Sequence, residues 1–302
     1  MKLKRSTLFF YSLTDLPIKI ALFGILVFIP KFYSVDMGVS LVVAANIILA
    51  VRIFDVITDP LFGFINDRKT TRWGKRRPWL AISTPLMMLS IYMLFIPPEG
   101  SGAAHLFIWM MLLSIATTMI MIPYYAWGAE LSPDYNERSR VTGWREMLGL
   151  VGSLSAQLIP SAALLFFGLG GSANVLTILG ISVVVLMPIC VALTISKVPE
   201  TKEHVKSTIS PIQGLKLMLE NAPFKRLILA FMCGGIALSI TTTLYLFFVT
   251  YVLNAEELAV YMFTFFFISN FAAVPFWVWL SKIIGKHKAY IASFTLFALS
   301  HP

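Results

Sequence analysis

The chain has 302 residues, of which 58% are hydrophobic and only 13% charged, with a formal net charge of +9. Soluble domains carry about 25% charged residues, so this composition and a mean hydropathy of +0.80 exclude an ordinary globule. Two cysteines exclude a disulfide framework, and what remains is an all-α polytopic membrane protein.

Apolar runs of about 20 residues cross roughly 30 Å of hydrocarbon. The first, 7–30, follows Met1-Lys2-Leu3-Lys4-Arg5, a start like that of a signal peptide. Asp15, Pro17 and Lys19 interrupt it and no small-residue cleavage site follows, so it is read as a retained helix. Asp15 and Lys19 stand four residues apart on one face, with Tyr11 a turn earlier. They either neutralise each other or form a polar wall of a solute cavity, with Lys19 turned to an acidic or hydroxylated ligand.

The second run, 38–65, holds Arg52, Asp55 and Asp59 at i, i+3 and i+7, inside a sector of roughly 60° on a helix. An ionisable group in the bilayer centre costs at least about 2.5–3.5 kcal/mol, so one cation and two carboxylates on one face need a purpose. Two carboxylates a turn apart offer hard oxygens to Na+ or share a proton, and Thr58 adds a hydroxyl nearby. The alternative is that Arg52 pairs with one Asp and only ties this helix to its neighbours. The connection to the third run, 78–97, carries Arg68, Lys69, Arg72, Lys75, Arg76 and Arg77. Asp67 at the end of one helix, opposite Arg68, Arg72 and Arg76, suits a cytoplasmic gate that latches two helices; otherwise these are topogenic charges alone.

The fourth run, 104–130, contains Ile122-Pro123-Tyr124-Tyr125-Ala126, a Pro among aromatics able to stack on a solute. The fifth, 142–168, opens on Arg145 and Glu146, where Arg145 either reaches a central cavity or snorkels to the interface. The sixth is 173–196. The polar segment 197–224 combines a Ser210–Gln213 capping-box pattern, Pro211 at the first helical position and an apolar face of Ile212, Leu215, Met218 and Leu219, so a short surface helix is expected. Runs 225–253 and 257–281 follow, and a ninth begins near Lys288.

Nearly every Lys and Arg falls on alternate connections, with only Lys31 on the opposite side, which places the N-terminus in the cytoplasm. The positive charge is then membrane topology, with anionic lipid as its neighbour and no nucleic-acid partner. Gly74-Lys75-Arg76-Arg77 after the second run and Gly285-Lys286-His287-Lys288 after the eighth echo each other as parallel six-helix repeats would. That any cytoplasmic connection is basic explains the same echo. His105, His204, His287 and His301 lack metal-ligand spacing, no phosphate loop is present, and no nucleophile–base set is visible. Neither an enzyme nor an ATP-driven pump is expected, nor a cofactor beyond a coupling ion.

The second run and its loop read Arg52-Ile53-Phe54-Asp55-Val56-Ile57-Thr58-Asp59-Pro60-Leu61-Phe62-Gly63, then Asn66-Asp67-Arg68 and Thr71-Arg72-Trp73-Gly74-Lys75-Arg76-Arg77-Pro78-Trp79. With Phe32-Tyr33-Ser34-Val35-Asp36-Met37-Gly38, Ile122–Ala126 and the stretch from Asp134 to Arg145, this resembles the melibiose-permease-like glycoside–pentoside–hexuronide:cation symporters of the major facilitator superfamily. The resemblance runs over essentially the whole chain and is sharpest in the first 145 residues. It implies twelve helices in two six-helix bundles and alternating access by rocking. It implies that Asp55 and Asp59 correspond to cation-site carboxylates, with Thr58 lining that site and Arg52 beside it. Arg145 matches a basic residue linked to the solute cavity, and Tyr125 a stacking aromatic. Where the melibiose permeases hold sugar hydroxyls with acidic residues on helices one and four, this chain has Lys19 and Met121.

The expected protein is therefore a symporter of the inner membrane, coupled to Na+ or H+, for a small polar organic solute such as a sugar, glycoside or uronate. The alternatives are a lysolipid transporter and a non-transporting remnant or scaffold; the oligomeric state stays open. Twelve helices do not fit in 302 residues. The expected architecture is a major facilitator fold with a complete first bundle (1–196), a linker (197–224) and a truncated second bundle (225–302), about nine spans in all.

Overall fold

Backbone polar groups in lipid have to be satisfied within the chain, and a helix does this segment by segment. The computed structural model describes residues 2–68, 71–168, 171–200, 211–247, 252–254 and 259–300. Among them no strand occurs, only an isolated bridge between Thr71 and Gly74. The chain divides into two compact units, Met1–Val205 and Lys206–Pro302.

Among the described residues, the first unit holds six helices long and apolar enough to cross a membrane, in keeping with a multi-pass membrane protein. They are α1 (Arg5–Asp36), α2 (Leu41–Arg68), α3 (Arg77–Phe95), α4 (Ala103–Glu130), α5 (Tyr135–Phe167) and α6 (Ser172–Lys197). Helix α1 is broken at Leu13 and Thr14 because Pro17 has no N–H for the Leu13 carbonyl. Leu16 N–H bonds that carbonyl instead, at 3.3 Å. The break is stitched to α6: the Thr194 hydroxyl donates to the Phe10 carbonyl at 2.7 Å, which leaves the Thr14 hydroxyl to donate to Thr194 at 2.8 Å. The far end of α1 widens into a π-helical turn at Phe32–Asp36.

Helix α1 packs on α5 and α6, α3 on α4 and α6, and α2 on α4. The core between them is closed by Trp127, Tyr11, Tyr33, Tyr124 and Phe95, all fully buried. Tyr11 and Tyr124 form a reciprocal clasp. Each hydroxyl donates to the other's carbonyl, at 3.0 and 2.8 Å, and the rings stack with centroids 4.7 Å apart. Helix α5 starts at Tyr135, ahead of the apolar run expected from 142. Asp134 Oδ1 accepts the N–H groups of Asn136 and Glu137, both at 2.8 Å, and so caps it. Hydropathy marks where lipid begins; the helix begins at its cap.

In the second unit, α7 (Pro211–Glu220) is a helix over part of the segment where a short surface helix is expected, and Ser210 lies outside the described residues. Then come α8 (Ala222–Phe247), α9 (Ala259–Ile284) and α10 (Lys286–Ser300). Asn221 caps α8 by accepting Phe224 N–H at 3.1 Å. Gly285, at φ +85°, makes the turn from α9 to α10.

Candidate functional site

Two carboxylates one turn apart on α2 meet two hydroxyls one turn apart on α4. Ser114 donates to Asp55 Oδ1, and Thr118 donates to Asp59 Oδ1 at 2.7 Å. Both pairs are separated by 59 residues, so α2 and α4 run in the same direction in register. Arg52 Nη1 stands 3.3 Å from the other oxygen of Asp55. All four polar groups open onto one cavity of about 350 Å³ between α1, α2 and α4. The rest of its wall is Arg52, Thr117 and Tyr125 with the apolar Leu22, Ile25, Val51, Met110, Leu113, Met121 and Ile122. Two carboxylates and two hydroxyl oxygens are hard donors of the kind that suit a small cation or a shared proton.

Arg52, Asp55, Asp59 and Tyr125 are thus brought together. Arg145 joins them indirectly: its guanidinium lies 4.1 Å above the Tyr125 ring and pairs with Glu146 at 2.5 Å. Thr58 is not brought in. It is turned about 100° from Asp59, is buried, and donates its hydroxyl to the Phe54 carbonyl at 3.1 Å. Asp15 and Lys19 do not line this cavity either. They are packed against Gly149 of α5, and no ion pair joins them among the described residues. The bare backbone at Gly149 draws both chains to the α5 side of α1.

A second cluster lies at the end of the bundle where α2 gives way to α3. Asp67 accepts Lys75 Nζ at 3.2 Å and Arg76 Nη2 at 3.0 Å, and Arg76 also holds Glu130, the last residue of α4, at 2.5 Å. Glu200, beyond α6, accepts the backbone N–H groups of Lys75 and Arg76, both at 2.6 Å. Burial weighs against the Arg76 charge, yet the bonds to Glu130 and Asp67 outweigh it and raise its pKa above the ordinary value. Of the four expected gate residues, Asp67 and Arg76 are in this cluster. Arg68 instead lies over the Phe64 ring at 4.0 Å, and Arg72 is exposed.

Ser114, Thr118, Glu130 and Glu200 carried no assignment in the sequence, and Lys75 stood there only as one of the basic residues of the connection. The hydroxyls carry no signal of their own on an apolar helix, where back-bonding to the i−4 carbonyl is the commoner fate. The two acids did carry one: each stands at the strongly basic end of the bundle, where an acid has cations to meet.

The profile of a family described as MFS/sugar transport protein matches residues 10–300. The sodium-dependent lysophosphatidylcholine symporter 1 of Mus musculus is 26% identical over 300 residues, covering 87% of this chain and 56% of that protein. The isoprimeverose transporter of Lactiplantibacillus pentosus is 24% identical over 298 residues, covering 95% of this chain and 61% of that protein. The inner membrane symporter YicJ of Escherichia coli (strain K12) is 24% identical over 286 residues, covering 90% and 61%. The chain therefore spans little more than half the length of these relatives.

Proposed function

The chain belongs to the MFS/sugar transport protein family, and on that premise we propose that it is a cation-coupled symporter of a small organic solute working by alternating access. Asp55 and Asp59 hold Na+ or a proton, with the Ser114 and Thr118 hydroxyl oxygens completing the donor set. The observation that carries this is the paired ladder of carboxylates on α2 and hydroxyls on α4 facing one cavity. Arg52 tunes the carboxylates, and Tyr125 with Arg145 behind it forms the solute wall. Asp67, Arg76 and Glu130 form the latch at the gated end. The chain sits in the inner membrane with its N-terminus and the latch on the cytoplasmic side. An ion that joins α2 to α4 favours the conformation that binds solute, and the solute favours ion binding by the same factor.

The test is uptake into proteoliposomes with and without a Na+ or proton gradient, for the chain and for Asp55→Asn. Gradient-driven uptake that survives in Asp55→Asn overturns the ion site. The apolar cavity wall favours a second reading for the solute: an amphiphile such as a lysolipid rather than a polyhydroxylated sugar. The seven apolar side chains in that wall offer no partner to sugar hydroxyls, each costly to bury unpaired. Thermal stabilisation by a lysolipid, measured against sugars and uronates, decides between them.

A further inference from the structure

The ion site leaves one buried ionisable group without a task. Asp15 is 0% exposed, and neither of its oxygens has a hydrogen-bond partner. It stands where α1 resumes after its break, with Oδ2 set so close to Gly149 of α5 that a Cβ there would overlap it. The groups that face it are Tyr11 and Lys19 on its own helix, Arg145 and Glu146 on α5, and Tyr124 and Tyr125 on α4. Helix α6, which also packs on α1, offers the neighbouring Thr14 the Thr194 hydroxyl. Among the described residues, neither cation stands at ion-pair distance from Asp15, though both face it. Arg145 pairs with Glu146 through Nη2 and lies on the face of Tyr125, while its Nε is buried and makes no bond to Asp15. Lys19 lies against Gly149 through its stem, and among the described residues no carboxylate is within ion-pair distance of it.

A carboxylate shut away from water with no donor to accept from relieves its desolvation cost by taking a proton. We propose that Asp15 is a proton-binding site, distinct from the carboxylates of the α2–α4 cavity, and that its proton sets the charge of the α1–α5 seam. With the proton on, Asp15 is neutral, Arg145 and Glu146 cancel, and Lys19 is the uncompensated charge. With the proton off, the four groups sum to zero. Lys19 stands one turn before Leu22, which lines the solute cavity, so proton uptake at Asp15 leaves a positive charge on the α5 side of α1, one turn from that cavity. The inference concerns the protonation of the chain itself and does not depend on the transport reading.

Infrared difference spectroscopy on the purified chain in detergent, with carbon-13 aspartate, reads the C=O stretch of a protonated aspartic acid across a pH series. The expected result is such a band growing in as the pH is lowered from neutral, indifferent to added Na+, present in Asp55→Asn and Asp59→Asn and lost in Asp15→Asn. Survival of the band in both α2 variants supports the assignment even where Asp15→Asn does not fold. The proposal is overturned if the chain shows no protonated-aspartate band as the pH is lowered from neutral to mildly acidic, if Na+ removes the band, or if it is lost in Asp55→Asn or Asp59→Asn.

Discussion

Thr58 and Thr118 differ by where one hydroxyl points. Thr118 donates to the Asp59 carboxylate across the cavity, whereas Thr58 spends its proton on the Phe54 carbonyl of its own helix. A hydrogen bond to a charged group contributes about 1.5–3 kcal/mol. Thr118→Val should therefore weaken coupling-ion binding by about ten- to a hundredfold, while Thr58→Val should leave it within a few-fold. Ion-dependent thermal stabilisation of the two purified variants measures the contrast. Equal losses in both would mean that Thr58 is the ligand after all. The carboxylates were legible from their i, i+4 spacing and their cost in lipid. The hydroxyls were not, because spacing on α4 has no meaning until α2 is laid beside it in register.

At the scale of elements, glycines decide how closely helices approach. A Cβ at Gly152 of α5 would overlap the Leu16 carbonyl of α1, and one at Gly128 of α4 would overlap the Tyr11 hydroxyl in the clasp. Neither neighbour can give way, since one is backbone and the other is fixed by bonds to Tyr124. Gly152→Ala should destabilise the chain by about 1–3 kcal/mol, the usual cost of forcing extra volume into a packed seam. Gly235 of α8 has nothing within 4 Å of its added Cβ. Gly235→Ala should be neutral or stabilising by up to about 1 kcal/mol through helix propensity. Unfolding of both variants in detergent tests the pair, and a Gly152→Ala protein as stable as Gly235→Ala would refute close packing at that seam. The existence of the helices followed from apolar length and their ends from caps. Which faces touch did not, because in α1 the same apolar residues cover most of the circumference.

Across the first unit, the basic end is tied from three directions. Asp67 from α2, Glu130 from α4 and Glu200 after α6 all converge on the Lys75–Arg77 turn. Gly74, at φ +116°, makes room for the Glu200 carboxylate, which its own Cβ would strike. Breaking one partner of a buried charged cluster costs about 3–5 kcal/mol. Glu200→Ala should therefore loosen the chain after α6 and speed tryptic cleavage at Lys197 several-fold, read by limited proteolysis. An unchanged cleavage rate would show that the α6 end is held without Glu200.

The sequence by itself determined that this is a helical membrane protein of a transporter family. Hydrophobic length, the bias of Lys and Arg, and a dense motif around Asp55 are local properties, and each is expressed without knowledge of neighbours. Only the tertiary structure decided that Asp59 meets Thr118 and not Thr58, that Asp15 is sealed against Gly149, and that Glu130 and Glu200 meet the Lys75–Arg77 turn while Arg68 and Arg72 stand apart. A cost of burial can be read from one residue, whereas a partner is a property of two helices and of the angle between them.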